Sequence, residues 1–423
     1  MICDMKHLFW ILILVPVLTP SCNRIEQEEK EDTGDNPYMP IILSTKQAGY
    51  VSAGEAFAGR FIDQIDATAL KDDKHEWFVS PLSLQIALGM LLNGAQGETA
   101  AEICRTLGYK DGEINEINEW SRMMLEQLPK IDKKTELSMA DAIFFNNKIS
   151  LKAPFREAVG SNYFAALEAL DFSNRKATAD FINSWCDRQT KGMIPKVIDE
   201  NGISPDAMAF LANALYFKSV WAEKFPKDDS RNETFTLENG KKDKVRMMKL
   251  DGKKFLYGEN DLWQAIRLPY GNGAYGMTVI LPKKDHSVRE VTEALGKGEM
   301  VYTNQEAMAD LWLPGFEMKY HIELSDILKT LGMPMAFDPW RADFLAMSEH
   351  ESYVSFVQQD AAIKVDEEGT EAAAVTIIGM NFATALPSEP LKVVFHADRP
   401  FLYLITESST GAILFAGKYN GGN

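Results

Sequence analysis
Apolar residues recur at helical spacing through much of the first half of the chain and at strand spacing through much of the second. The stretch "FVSPLSLQIALGMLLNGAQG", Phe78 to Gly97, predicts a helix: Ser80 can cap it, Pro81 suits its first turn and Gly94 follows its apolar body. Further helices are predicted in "GETAAEICRTLG" (97–108), "INEINEWSRMMLEQL" (114–128), "ATADFINSWCDRQTKG" (177–192) and "LSDILKTLGM" (324–333). "ELSMADAIFFNN" (136–147) is strand-like, and "AMAFLANALYFKSVWAEKF" (207–225) is a long apolar run fit for a buried strand, with Asn213 inside it. "QAIRLPYGNGAYGMTVILPK" (264–283) predicts two strands around a glycine-rich turn, and "ADLWLPGFEMKYHIEL" (309–324) is extended. The last of the chain, "LKVVFHADRPFLYLITESSTGAILFAGKY" (391–419), predicts a hairpin around Ser408 to Gly411. Helices mostly precede strands, which makes the fold class α+β rather than alternating βαβ.

One stretch commits to neither pattern. In "VDEEGTEAAAVTIIGMNFATALPSEP", Val365 to Pro390, three alanines could open a helix, while Val375-Thr376-Ile377-Ile378 prefers a strand. Gly369 precedes it, and no proline occurs between Pro339 and Pro387.

Composition narrows the function classes. The 423 residues are 46% hydrophobic and 25% charged, ordinary for a globular chain, and the net charge of −17 argues against nucleic acid, whose phosphates need Lys and Arg. At the N-terminus, Met5-Lys6-His7 leads into the apolar run Leu8 to Leu18 and then "TPSC" ending at Cys22, the pattern of a secretory signal over residues 1–22. Ser21-Cys22 is similar to the lipobox of bacterial lipoproteins, with Pro20 and Thr19 departing from it; an ordinary cleaved signal is the alternative. The charged stretch 23–40 has too little apolar surface to fold and is expected to be an acidic tether, leaving 41–423 as the folded domain. Its two cysteines, Cys104 and Cys186, make no disulfide framework and are expected to be buried thiols, though a bridge between them stays open.

The search for catalytic chemistry returns nothing specific. "GNGAYG", Gly271 to Gly276, matches a dinucleotide-binding glycine motif, but a strand ending in proline follows where a helix is required. G-x-S-x-G, C-x-x-C and H-E-x-x-H patterns are lacking, and the histidines are isolated in sequence. No metal and no cofactor is expected.

The uncommitted stretch resembles the reactive-centre-loop hinge of the serpins, the serine-protease-inhibitor family. "FVSPLSLQIALGMLLNGAQGET", "FINSWCDRQTKGMIPKVI", "ALYFKSVWAEKF", "VRMMKLDG", "LWLPGFEM" and "ADRPFLYLI" fit the same family in order and spacing, over about residues 45–419. The resemblance implies three β-sheets with eight or nine helices and an exposed loop at about 367–390. It also implies a stoichiometric inhibitor rather than an enzyme. A target protease forms an acyl-enzyme with the loop, which then inserts into the main sheet and carries the protease with it. The hinge comprises Glu367, Gly369, Thr370, Glu371, Ala372, Ala373 and Ala374. In a strand, Thr370, Ala372, Ala374 and Thr376 share one face and are small enough to slip into a packed sheet. Residues 370–383 would extend roughly 45 Å.

The family register, counted from Glu367, places the scissile bond between Ala383 and Thr384, which suits an elastase-like pocket. Phe382 as the primary residue instead suits a chymotrypsin-like or cathepsin-like enzyme. The family's shutter falls on Ser80, Ser83, Asn213 and Gln359, with glutamine where histidine is usual, and its breach tryptophan on Trp221. Gly315 stands where many members carry a lysine, so Glu367 is expected to lack its ion-pair partner, easing insertion. Acids in "KDGEINEINEW" argue against activation by heparin. The picture is of a monomer, lipid-anchored through Cys22 to a bacterial cell envelope, on the periplasmic or surface face of the outer membrane, or released from it. It traps proteases covalently. The alternative is a non-inhibitory binding or structural serpin whose loop is only a substrate.

Overall fold
The computed structural model describes residues 36–72, 75–205, 207–369 and 391–421. They belong to one compact unit that starts at Asn36, ahead of residue 41. The Asn36 side chain donates to Asp132 Oδ1 (2.8 Å) and accepts from the Lys133 N–H (3.0 Å).

Eight α-helices lie among the described residues: α1 (Thr45–Lys71), α2 (Pro81–Leu92), α3 (Gly97–Leu107), α4 (Ile114–Gln127), α5 (Ala153–Tyr163), α6 (Arg175–Gln189), α7 (Val288–Gly296) and α8 (Ser325–Leu331). The first was not visible in the apolar pattern; a capping box between Ser44 and Gln47 starts it. Helix α2 is apolar all round, and every one of its residues is buried.

Strands are β1 (Trp77–Val79), β2 (Glu136–Asn146), β3 (Ala166–Leu170), β4 (Ala209–Lys218), β5 (Arg231–Thr236), β6 (Lys242–Glu259), β7 (Trp263–Tyr270), β8 (Tyr275–Pro282), β9 (Gln305–Pro314), β10 (Phe316–Glu323), β11 (Val354–Val365), β12 (Leu391–His396), β13 (Phe401–Glu407) and β14 (Ile413–Tyr419). They form a five-stranded sheet, ordered β10-β11-β4-β2-β3, and a second run ordered β1-β14-β13-β8-β7-β6-β9-β12, with β5 on β6. The long strand β6 serves two sheets. Its second half joins the large one through β7, and its first half builds a small one with β5, β9 and β12, after a register shift between Leu250 and Lys253. The expected third sheet is therefore continuous with the second.

The five-stranded sheet is covered on both faces, which explains why β4 reads as an almost unbroken apolar run. On one side lies the main core with α2. On the other, α6 lays Ala179, Ile182, Trp185 and Cys186 against Ala142, Phe144 and Phe210 of the sheet. Gly271 to Gly276 is a β7–β8 hairpin turn, with Gly271 and Gly273 at positive φ. Cys104 and Cys186 are buried free thiols.

Candidate functional site
The site is the seam between β4 and β11. These strands are far apart in sequence and run parallel, paired from Ala209 opposite Val354 to Tyr216 opposite Ala362 with no strand between them. The pairing stops short of the ends of both strands, Lys218 and Val365. Direct pairing thus closes the seam below and ends short of its top.

Halfway up, a buried polar row crosses three strands. Asp141 on β2 is opposite Asn213 on β4, which is opposite Gln359 on β11. Below them Ser80 caps α2, because its β-region backbone lets its side chain accept from the Ser83 N–H (3.3 Å). The Gln359 amide closes a ring with Ser80, accepting from its N–H (2.7 Å) and donating to its carbonyl (3.0 Å), and also donates to Asn213 Oδ1 (2.8 Å). Asn213 Nδ2 donates to Ser83 Oγ (2.6 Å) and to Asp141 Oδ1 (2.8 Å), and the Ser80 hydroxyl donates to the Leu414 carbonyl. The structure therefore brings Ser80, Ser83, Asn213 and Gln359 together. Glutamine can fill this place because its amide both donates and accepts.

At the upper end, beyond the paired residues, the chain leaving β11 is pinned by its backbone. Trp221 is buried and stacked on Tyr270 (4.3 Å between ring centroids), and its Nε1 donates to the Asp366 carbonyl (2.9 Å). The Trp221 N–H donates to Glu368 O (3.1 Å) and the Phe225 N–H to Glu367 O (2.9 Å). Gly369 then reverses the chain at φ 87°, and a Cβ there would lie 2.2 Å from Trp221 N, so only glycine fits.

Three consecutive acids at this reversal each find a cation from a different place. Asp366 pairs with Lys364 of β11 (3.3 Å), Glu367 with Arg246 of β6 (2.6 Å), and Glu368 with Lys227, in the short turn Lys227–Asp229. Burial works against ionisation of Glu367, but backbone hydrogen bonds and Arg246 outweigh it and hold its carboxyl below the usual range. Lys227 does the same for Glu368.

The expectation that Gly315 leaves Glu367 unpaired is thereby corrected. Gly315 stands beside Arg246, donating its N–H to the Arg246 carbonyl (2.9 Å), so a side chain from the neighbouring strand delivers the charge instead. Sequence reasoning also missed Asp141, Lys227 and Lys364. The one hint of Asp141 was a lone acid in the apolar strand "SMADAIFF". Thr370, Glu371, Ala372, Ala373, Ala374, Phe382, Ala383, Thr384 and Cys22 lie outside the described residues. Among the described residues no cluster of His, Cys, Asp and Glu is arranged to hold a metal ion, and no helix is long and apolar enough to cross a membrane.

Residues 52–421 match the model of the family "Serpin (serine protease inhibitor)". The chain belongs to the serpin family. Serpin B6 of Pongo abelii is 31% identical over 372 residues, covering 86% of this chain and 97% of the relative. Among solved structures, this serpin is similar to Serpin48 of the insect Tenebrio molitor (TM-score 0.78, 26% identical, 90% of this chain and 100% of that one). It is also similar to human thyroxine-binding globulin (TM-score 0.75, 26% identical, 88% and 98%). The fold is accordingly the serpin fold, α+β with three sheets, and the family is typically one of protease inhibitors and not of enzymes.

Proposed function
We propose that this serpin is an irreversible suicide-substrate inhibitor of serine proteases, with elastase-like enzymes as its main targets. Support comes above all from the β4–β11 seam, whose direct pairing ends short of the chain reversal at Asp366 to Gly369. In this reading the protease serine attacks the Ala383 carbonyl, forming an ester as the amine of Thr384 leaves. The severed segment then turns at Gly369 and enters the seam from its upper end, with Thr370, Ala372 and Ala374 facing the core and Glu371 and Ala373 the other side. Small side chains keep the packing cost low, and the lack of proline leaves every N–H free to pair. Phe382 as the primary residue would extend the range to chymotrypsin-like or cysteine proteases. Ser80, Ser83, Asn213 and Gln359 act as the shutter and Trp221 as part of the breach.

Incubation with pancreatic or neutrophil elastase tests this reading. The expected result is an adduct that survives SDS, with mass mapping placing the cut after Ala383. Clean cleavage without adduct supports a second reading, a binding serpin whose loop is only a substrate. That reading is favoured by the likeness to thyroxine-binding globulin, solved in complex with thyroxine. For location, we propose cleavage between Ser21 and Cys22, leaving a lipidated Cys22 as the first residue, with 23–35 as tether to a bacterial envelope. An intact Cys22 thiol in protein purified from its native membrane rules this out.

A further inference from the structure
The polar row across the main sheet carries an ionisable group that loop insertion does not use. Asp141 is almost wholly buried and is bonded through Oδ1 to Asn213, whereas Oδ2 has no hydrogen-bond partner. A buried carboxylate with half of its accepting capacity unfilled is costly when charged and much less so when protonated. The groups facing it offer no compensating charge. Asn213 comes from β4, and Ser83 of α2 shares the same amide. The Tyr163 phenol of α5 lies within electrostatic reach and donates to Asn118 of α4 (2.6 Å), and the next member of the row, on β11, is the neutral Gln359. Asp360 follows Gln359 and so points to the opposite face, toward Cys186 of α6, where it pairs with His321 of β10 (2.7 Å). Burial pushes the Asp141 carboxyl up from 3.8 to about 7, with the Asn213 amide pulling the other way.

We propose that Asp141 is a proton-operated latch on the main sheet: protonated, it holds β4 and β11 together, and ionised, it favours their parting. The link runs through Asn213, whose amide nitrogen serves Asp141 and Ser83 while its carbonyl accepts from Gln359 across the seam. Parting the seam admits water, which solvates a charged Oδ2 and gains little from a neutral acid. The closed sheet therefore binds the proton more tightly than the open one. Its advantage from this group is complete below the ordinary carboxylate range and is lost as pH rises through about 7. The inference depends on the geometry of the row and on no protease, so it survives or fails separately from the inhibitory reading.

Hydrogen exchange of the purified full chain tests it, read at the β11 amides from Val357 to Ala361 and corrected for the intrinsic pH dependence of exchange. Protection should fall about tenfold between about pH 6 and about pH 8, while the amides of β13 and β14 keep theirs. Asp141→Asn should flatten the profile at the protected level. His321→Gln should leave the profile unchanged, which separates Asp141 from the pair on the other face. A flat wild-type profile, an unchanged slope in Asp141→Asn, or loss of the slope in His321→Gln overturns the proposal. Should Asp141→Asn fail to fold, the carboxyl carbon resonance of Asp141 in the wild type decides. A midpoint near neutrality upholds the latch, and one near 3.8 sinks it.

Discussion

The two places that restrain the β4–β11 seam are made of opposite chemistry. The mid-sheet row is a buried set of amides and hydroxyls around one carboxyl, with each of its members linking two or more elements. The upper end is an ion-pair clamp with its cations at the surface: the Arg246 side chain is 53% exposed and that of Lys227 63%, whereas Glu367 is buried. A dry network is costly to break and indifferent to salt, whereas exposed pairs contribute modestly and are screened. The sheet should therefore yield first at the clamp, with the buried row setting the barrier behind it. Acid also acts on the two in opposite directions. The lowered carboxyls of Glu367 and Glu368 stabilise the clamp above the ordinary carboxylate range, and that contribution is lost as pH falls through their depressed values. Protonation of Asp141 works the other way, tightening the row.

Thr370→Arg gives the hardest test, since a strand starting from the clamp must bury that residue beside β11. An unpaired guanidinium there should abolish the SDS-resistant adduct and leave cleaved chain, as electrophoresis after elastase treatment will report. If this variant traps like the wild type, insertion does not begin at this end. Next comes Asn213→Ala, which leaves Ser83, Gln359 and Asp141 each short of a partner. It should lower stability by about 2–4 kcal/mol by urea denaturation, equally at low and high salt. Arg246→Ala leaves the buried Glu367 carboxyl without its cation and should cost about 1–3 kcal/mol, only partly reduced near ~1 M salt. Because it loosens the clamp alone, it should speed adduct formation by about fivefold. A loss of stability that salt does not touch would mean that the clamp is not electrostatic. The smallest effect is expected for Gln359→His, within about 1 kcal/mol, because imidazole can keep one bond to Ser80 or Asn213. It should add a second step to the pH profile of β11 exchange.

Much of this was legible in the chain, and the exceptions share a cause. Helix α2, the apolar strand β4 and the β7–β8 turn announce themselves by local period, cap and glycine. Ser80, Ser83 and Trp221 could be placed because they sit inside recognisable family segments, and Asn213 and Gln359 because each lies a few residues ahead of one. Helix α1 escaped because alanine, glycine and polar residues blur its apolar face. The partner of Glu367 was sought at one position and found at another because ion pairing depends on where β6, β9 and the hinge meet, which no local pattern encodes. Arg246 lies within "VRMMKLDG", yet nothing in that motif says that its side chain reaches a residue 121 positions away. Asp141 escaped likewise, since its environment exists only once three strands are in register.

The parallel run of β4 and β11 has a thermodynamic meaning. Beyond Asp366 the chain reverses at Gly369, so any strand continuing from there back along β11 would be antiparallel to it, and hence antiparallel to β4 as well. Slipping such a segment between them exchanges one slanted ladder for two upright ones, and upright ladders are somewhat stronger per residue. If such a segment inserts, part of its gain is already written in the orientation of two neighbours, before any side chain of the newcomer is considered.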